Sequence, residues 1–421
     1  MWKKSNHRKM DLSRAALFSA ALIFAAGLAG NPSVWAESPE DGAAGRVLSI
    51  AAVQKEIQRG RETRDAQDFD RAEGMLDRLP QQGKDAAKVL GLRAWIALFQ
   101  HRFQGAVVLA TAARNLEPTV AFYEGLLSDA YLELGHYEKS LESAQRMLDL
   151  RPDQAAFSRA AHLRSLHGNP EGAIALWQRA IQGGGGSPEN TAWCQVELGD
   201  EYFNLGKLKE AEQAYQAALK THPSYHRAFF ALGRLAAARD RNVEALGHYR
   251  KALAVVPSME YAAALGEAYL ALGNKIEAEK QFALVEGIAE LNRLHNGQDD
   301  RALALFYADH NRKLDTARRI SENEAALRKD IFTQDVLAWV EYKAGRYTEA
   351  ESAIQQALRT GTRLALFHFH AGMIAQALGK EKSAAERLAF ALKQNPHFHP
   401  RQAHVARQTL VSLRPKKGVR S

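Results

Sequence analysis

Histidine is the residue type in this chain with the clearest chemical pretext. His368 and His370 flank Phe369, His397 and His399 flank Phe398, and His404 follows closely. A metal held on a helix wants ligands one turn apart, at i and i+4, so that both point to one side. A spacing of two on a helix sends His368 and His370 in different directions, whereas His397 and His399, between Pro396 and Pro400, converge more freely. Cys194 is the single cysteine, so no internal disulfide is available, and its neighbours Trp193 and Gln195 supply neither a His nor an acid to activate a thiolate. Gly183 to Gly186 form a glycine run, but phosphate-cradling loops follow a strand and carry a Lys-Ser/Thr pair, and neither accompanies this run. The sequence has no nucleophile elbow, no paired carboxylates at an expected cleft, no dinucleotide-binding glycine motif and no zinc-ligand helix. The expectation is a protein that is not an enzyme and takes no cofactor or metal, with a carbohydrate or metal carrier as the chemical alternative.

The elements that must position such residues are set by a repeat. A small residue is followed twelve positions later by another, and the pair recurs about every 34 residues, a period that means stacked helical hairpins. The clearest pairs are Gly199 with Ala211, Gly233 with Ala245 and Gly266 with Ala278; Ala94/Ala106, Ser128/Ser140, Ala161/Ala173, Ala338/Ala350 and Gly372/Ala384 share the spacing. In one unit, Leu198, Gly199 and Tyr202 mark a first helix that breaks at Gly206. Leu208, Ala211, Tyr215, Ala218 and Leu219 mark a second that ends before Pro223. Their three- and four-residue steps line one helix face. The small residues let the two helices cross closely, and Tyr215 is expected to fill space against the next hairpin.

This pattern resembles the tetratricopeptide repeat over nearly the whole chain beyond the first 36 residues. The resemblance implies an all-α, right-handed superhelical solenoid of about ten hairpins with a C-terminal capping helix. Two units depart from it. The first carries Arg59, Arg61, Arg64 and Asp65 where apolar residues would pack, as an N-terminal cap does, and the eighth has Leu305 and Glu324 at its small positions. The interval stretches at Gln182 to Asn190 and at Gly287 to Asp300, where the superhelix is expected to bend or split. The expected organisation is therefore a segment 1–36 and linker 37–46, an N-terminal block 47–182, a glycine-rich link 183–190 and a central block 191–286. An insertion 287–300, a C-terminal block 301–413 with its capping helix, and a basic tail 414–421 follow.

Lys3, Lys4, Arg8, Lys9 and Arg14 precede an apolar run of 16 residues from Ala15 to Gly30, and Val34-Trp35-Ala36 places small residues at −3 and −1 of a cleavage site. This reads as a secretory signal peptide, its run being short for a membrane span. The expected location is periplasmic or secreted, with no integral span in the mature chain. Without those five basic and one acidic residues, 56 Lys/Arg against 48 Asp/Glu become 51 against 47, a net of +4. So balanced a charge gives no reason to invoke nucleic acid or a membrane surface.

In proteins of this family the first helices line a concave wall where peptides lie. Carried onto this chain, that wall presents Trp95, Asp129, His162, Asp200, Arg234, Glu267 and Trp339, with Trp193 beside them. Large aromatics on a face that packing does not require suggest anchor pockets. The expectation is a protein or peptide segment held along this stripe, by aromatics at the ends and polar groups at the centre. Such a scaffold would serve an envelope or secreted complex. An envelope-anchored form supporting polysaccharide export or cell-wall machinery is the alternative. Partner identity and oligomeric state are not encoded in the repeat spacing.

Overall fold

A computed structural model describes residues 48–63, 66–80, 82–184, 187–296 and 301–413. The expected signal peptide, the linker and the basic tail lie outside the described residues. Among the described residues there are 21 α-helices and no strand. They pair in sequence as antiparallel hairpins. The first three hairpins are α1/α2 (Ile50–Thr63, Ala66–Asp77), α3/α4 (Ala86–Phe99, Phe103–Leu116) and α5/α6 (Ala121–Glu133, Tyr137–Leu150). Next come α7/α8 (Gln154–Leu166, Pro170–Gln182), α9/α10 (Pro188–Asn204, Leu208–Thr221) and α11/α12 (His226–Ala238, Asn242–Val255). Then follow α13/α14 (Met259–Ala271, Lys275–Asn296) and α15/α16 (Arg301–Asp309, Leu314–Leu327). The last pairs are α17/α18 (Ile331–Lys343, Tyr347–Ala357) and α19/α20 (Ala365–Ala377, Glu381–Gln394), and α21 (Gln402–Ser412) packs on them as a single final helix.

The small residues have a sharper reason than helix crossing alone. A Cβ on Gly199 would collide with the Tyr215 ring, one on Gly233 with Tyr249, and one on Gly266 with Phe282. Tyr215 therefore packs back onto the first helix of its own hairpin, rather than only against the next one. In the third hairpin the small pair is polar and bonded both ways. The Ser140 hydroxyl donates to the Ser128 carbonyl at 2.8 Å and the Ser128 hydroxyl to the Ser140 carbonyl at 3.0 Å. Helix starts are fixed locally: Asp153 and Asn169 accept backbone N–H groups of the first turns of α7 and α8, and Pro170 and Pro188 sit at first-turn positions.

The described helices on either side of both stretched intervals remain in contact. Pro188 starts α9 four residues earlier than the neighbouring first helices start relative to their small residue, and Trp193 meets Trp177 edge-on across the glycine link at 5.3 Å. The second stretch is helical up to Asn296, as a continuation of α14.

The array also touches itself. Near the ends of α5, α7 and α9, last-turn carbonyls accept bonds from loops five hairpins further along. Lys329 N–H donates to Glu133 O at 2.9 Å, the Thr360 hydroxyl to Leu166 O at 2.6 Å, and the Asn395 amide to Phe203 O at 2.7 Å. Ile331 N–H donates to the Tyr137 hydroxyl at 2.8 Å, 194 residues away. Leu132, Leu163 and Leu166 share one core cluster with Ile331, Phe367 and Ile374. Hairpins 3 to 5 thus stack edge to edge on the loops that follow hairpins 8 to 10, along a seam.

Charges are buried at this seam. Arg328 lies 3.6 Å from both Glu133 and Glu324, with its guanidinium over the Phe103 ring. Glu324, a departure from the repeat pattern, is explained by this cluster. Beside it Arg301 pairs with Asp330 at 3.1 Å, while Asp330 caps α17 through Phe332 and Thr333 N–H. Burial pushes the Glu133 carboxyl up to about 7 against the opposing field of Arg328.

Candidate protein-binding wall

Seven of the eight expected residues take equivalent positions on the first helices, with Trp193 on the same helix as Asp200, but the chain itself covers five of the eight. Trp193 is 1% exposed and sits against Trp177. Trp95 is buried against Phe99 and, edge-on, Phe122. Trp339 is buried with its indole N–H donating to Asp309 at 2.9 Å, its rings stacked between Tyr342 and His370. Asp129 is buried in a two-pronged pair with Arg159, at 2.9 and 3.1 Å. His162 is buried and lies parallel to Phe332 across the seam, where burial holds its imidazole down at about 3 and so neutral. The expectation of aromatic anchor pockets is corrected at these positions. Adjacent hairpins and the seam enclose the side chains, so they offer a partner no open face.

Asp200, Arg234 and Glu267 keep 27, 34 and 22% of their side-chain surface open. They lie on α9, α11 and α13. Asp200 accepts the Tyr215 hydroxyl at 2.6 Å and pairs with Arg234. The Arg234 guanidinium lies over the Phe203 and Phe230 rings, and its Nε–H is buried with no partner. Burial alone would lower the Arg234 pKa, but the Asp200 carboxylate and its neighbours hold it above the ordinary value. Two further residues of the inner face, at neighbouring positions of the repeat, contribute here. Arg227 pairs with Glu197 at 3.0 Å, and Phe230 is half-buried against Tyr261 at 4.6 Å.

Glu267 is gripped from the C-terminal end. Arg401 pairs with it at 2.5 Å, His310 lies at 3.5 Å and His399 at 3.8 Å. Burial would raise its pKa, yet the fields of His399, Arg401 and His310 together outweigh that and lower it. His399 also accepts the Arg401 and Gln402 N–H groups at the start of α21. His368 and His370 make separate bonds, to the Thr362 carbonyl and to Asp335. Among the described residues no group of three or more His, Cys, Asp or Glu is placed to hold a metal ion. Cys194 is fully buried, and burial pushes its thiol far up.

Ten hairpins in series and a single closing helix define an α-solenoid whose inner wall is polar where it is open. The description "Tetratricopeptide repeat" matches residues 126–188, 196–260 and 333–366. The chain carries tetratricopeptide repeats over these residues. No curated protein matches the chain. Among solved structures it is similar to PilW, a widely conserved type IV pilus biogenesis factor, at 16% identity over 50% of this chain and 99% of that one, TM-score 0.42. It is similar to a tetratricopeptide repeat protein from Parabacteroides merdae ATCC 43184 at 19% identity, over 62% and 99%, TM-score 0.35. It is also similar to the Cut9-Hcn1 hetero-tetramer of APC/C at 14%, over 87% and 84%, TM-score 0.35. The family assignment rests on the repeat matches and the hairpin geometry. The fold is that of a protein-binding scaffold. No described helix is long and apolar enough to cross a membrane.

Proposed function

We propose that this protein is an exported scaffold that holds a segment of another protein against the open part of its inner wall, as an assembly or adaptor factor for an envelope or secreted complex. The observation that carries the reading is the contrast along one row of equivalent positions. Trp95, Asp129, His162 and Trp339 are spent on the protein's own packing, while Asp200, Arg234 and Glu267 remain partly open around a half-buried Phe230. An apolar side chain seated on Phe230, with its flanking backbone bonded to the carboxylates and guanidiniums beside it, suits this surface. Such a mixed contact favours specificity over raw affinity. Export rests on the basic start, apolar run and Val34-Trp35-Ala36 site of the first 36 residues.

The test is a photo-crosslinking side chain at Phe230, compared with one at Val108, exposed on the second helix α4. Adducts from position 230 are expected, and adducts from position 108 alone would overturn the placement. Mass spectrometry of the exported fraction is expected to find a chain beginning at Glu37. A chain retaining residues 1–36 in the membrane fraction would replace export with anchoring.

A further inference from the structure

At the last hairpin, the loop after α18 and the helices α19 and α20 line an open cavity of about 340 Å³. Its polar lining is Thr362, Arg363, His368 and Arg387, and its apolar lining includes Leu358 and Phe390. We propose that this cavity binds a single anionic group, a carboxylate or phosphate carried on a short apolar stem.

Three observations carry it. Thr362 is 2% exposed, and its hydroxyl is buried with no hydrogen-bond partner. A buried hydroxyl left unmade is costly, and a ligand oxygen in the cavity would complete it. Second, two guanidiniums stand at the mouth and both are bonded to neutral acceptors. Arg363 donates to the Gln394 side-chain carbonyl at 3.0 Å, and Arg387 lies 3.3 Å from His368 Nδ1. His368 is neutral there: its Nε2 is bonded to the Thr362 carbonyl at 3.1 Å, leaving Nδ1 as the acceptor, and burial holds its pKa down at about 4. Arg159, Arg227, Arg234, Arg301 and Arg328, by contrast, each meet a carboxylate. Positive charge at this mouth is therefore uncompensated, and both groups can turn a fork of N–H donors to an incoming anion. Third, the Phe390 ring packs on the His368 ring at 4.1 Å. That closes one wall with carbon and leaves room for a stem.

The experiment uses the full chain with inorganic phosphate, acetate and a short peptide rich in glutamate, each titrated by calorimetry. Arg363→Gln and Arg387→Gln are both at exposed side chains and are expected to keep the parent's circular dichroism. Saturable binding of at least one probe, weakened about tenfold by either substitution and also weakened by Thr362→Val, is the expected result. Phosphate or acetate binding without peptide binding assigns the site to a free small anion; tighter peptide binding assigns it to a partner's acidic side chain. No saturable binding, or binding that all three variants leave unchanged, overturns the proposal. Crosslinking at Phe230 is independent of this result, so either reading can fail without the other.

Discussion

Gly168 turns the fourth hairpin at a φ of +71°, and its α-carbon faces the carbonyl oxygen of Gly361 so closely that a side chain there would collide with it. Gly345 occupies the matching turn of the ninth hairpin at a φ of +77°, with nothing within 4 Å of a built Cβ. Left-handed backbone is common to both positions, and the seam is present only at the first.

The pair separates two effects that one substitution would confound. Gly345→Ala is expected to cost roughly 1 kcal/mol, the penalty for a side chain in left-handed geometry. Gly168→Ala adds overpacking against a backbone atom, about 1–3 kcal/mol more. It should also enlarge the radius of gyration in small-angle scattering as the last hairpins lift off. Equal costs and unchanged scattering in the two variants would remove the seam as a stabilising contact.

Arg328 holds the seam through two carboxylates at once. Removing one partner of a buried charge cluster costs about 3–5 kcal/mol, because the remaining charges stay buried without compensation. Arg328→Ala leaves Glu133 and Glu324 facing each other at a site the chain has already dehydrated. The expected outcome is a loss of that size in urea unfolding, with faster amide exchange at Lys329 and Ile331. Both residues donate across the seam. Unchanged exchange there would mean that Arg328 stabilises only its own hairpin.

How much of this was legible follows from which contacts leave a mark at short range. The hairpins were, because a Gly199–Ala211 spacing and the Tyr215 that fills it lie within one unit. The seam was not. It joins residues such as Phe203 and Asn395 through a backbone carbonyl, and a carbonyl has no sequence signature. Its one visible trace was Glu324, a carboxylate at a position that asks for a small residue. On the inner wall the repeat told which residues share a row. It could not tell whether a neighbour covers them: His162 is closed off by Phe332, from a hairpin five units away.

Trp193 provides the test of that correction. An exposed anchor residue truncated to Ala leaves the fold intact and weakens binding. A core residue unfolds it. With its ring 1% exposed against Trp177, Trp193→Ala is expected to cost about 3–5 kcal/mol. Thermal melting of the variant against the parent reads this directly. A change under about 1 kcal/mol, typical of a surface site, would return Trp193 to the open wall as a partner contact.

Glu201 gives a pH dependence with a definite sign. It lies buried on α9 among Asp200, Ser165 and Trp177. Burial raises its pKa from the ordinary 4.5 to about 7; the nearby Ser165 hydroxyl opposes this, the Asp200 charge adds to it, and the Trp177 indole opposes it. The native state therefore keeps the proton to higher pH than the unfolded chain does. This group's contribution to stability is complete below pH 4.5 and is lost as pH rises through 7. Glu201→Gln keeps the shape and never ionises. The variant should match the parent near pH 4.5 and exceed it increasingly up to neutrality. Above that the gap levels off, on the order of 3 kcal/mol, because a tenfold difference in proton affinity between folded and unfolded chain is worth about 1.4 kcal/mol. Urea unfolding at acid, neutral and alkaline pH measures the gap, and a gap that does not vary with pH would show that the Glu201 carboxyl has the same pKa in the folded protein as in the unfolded chain.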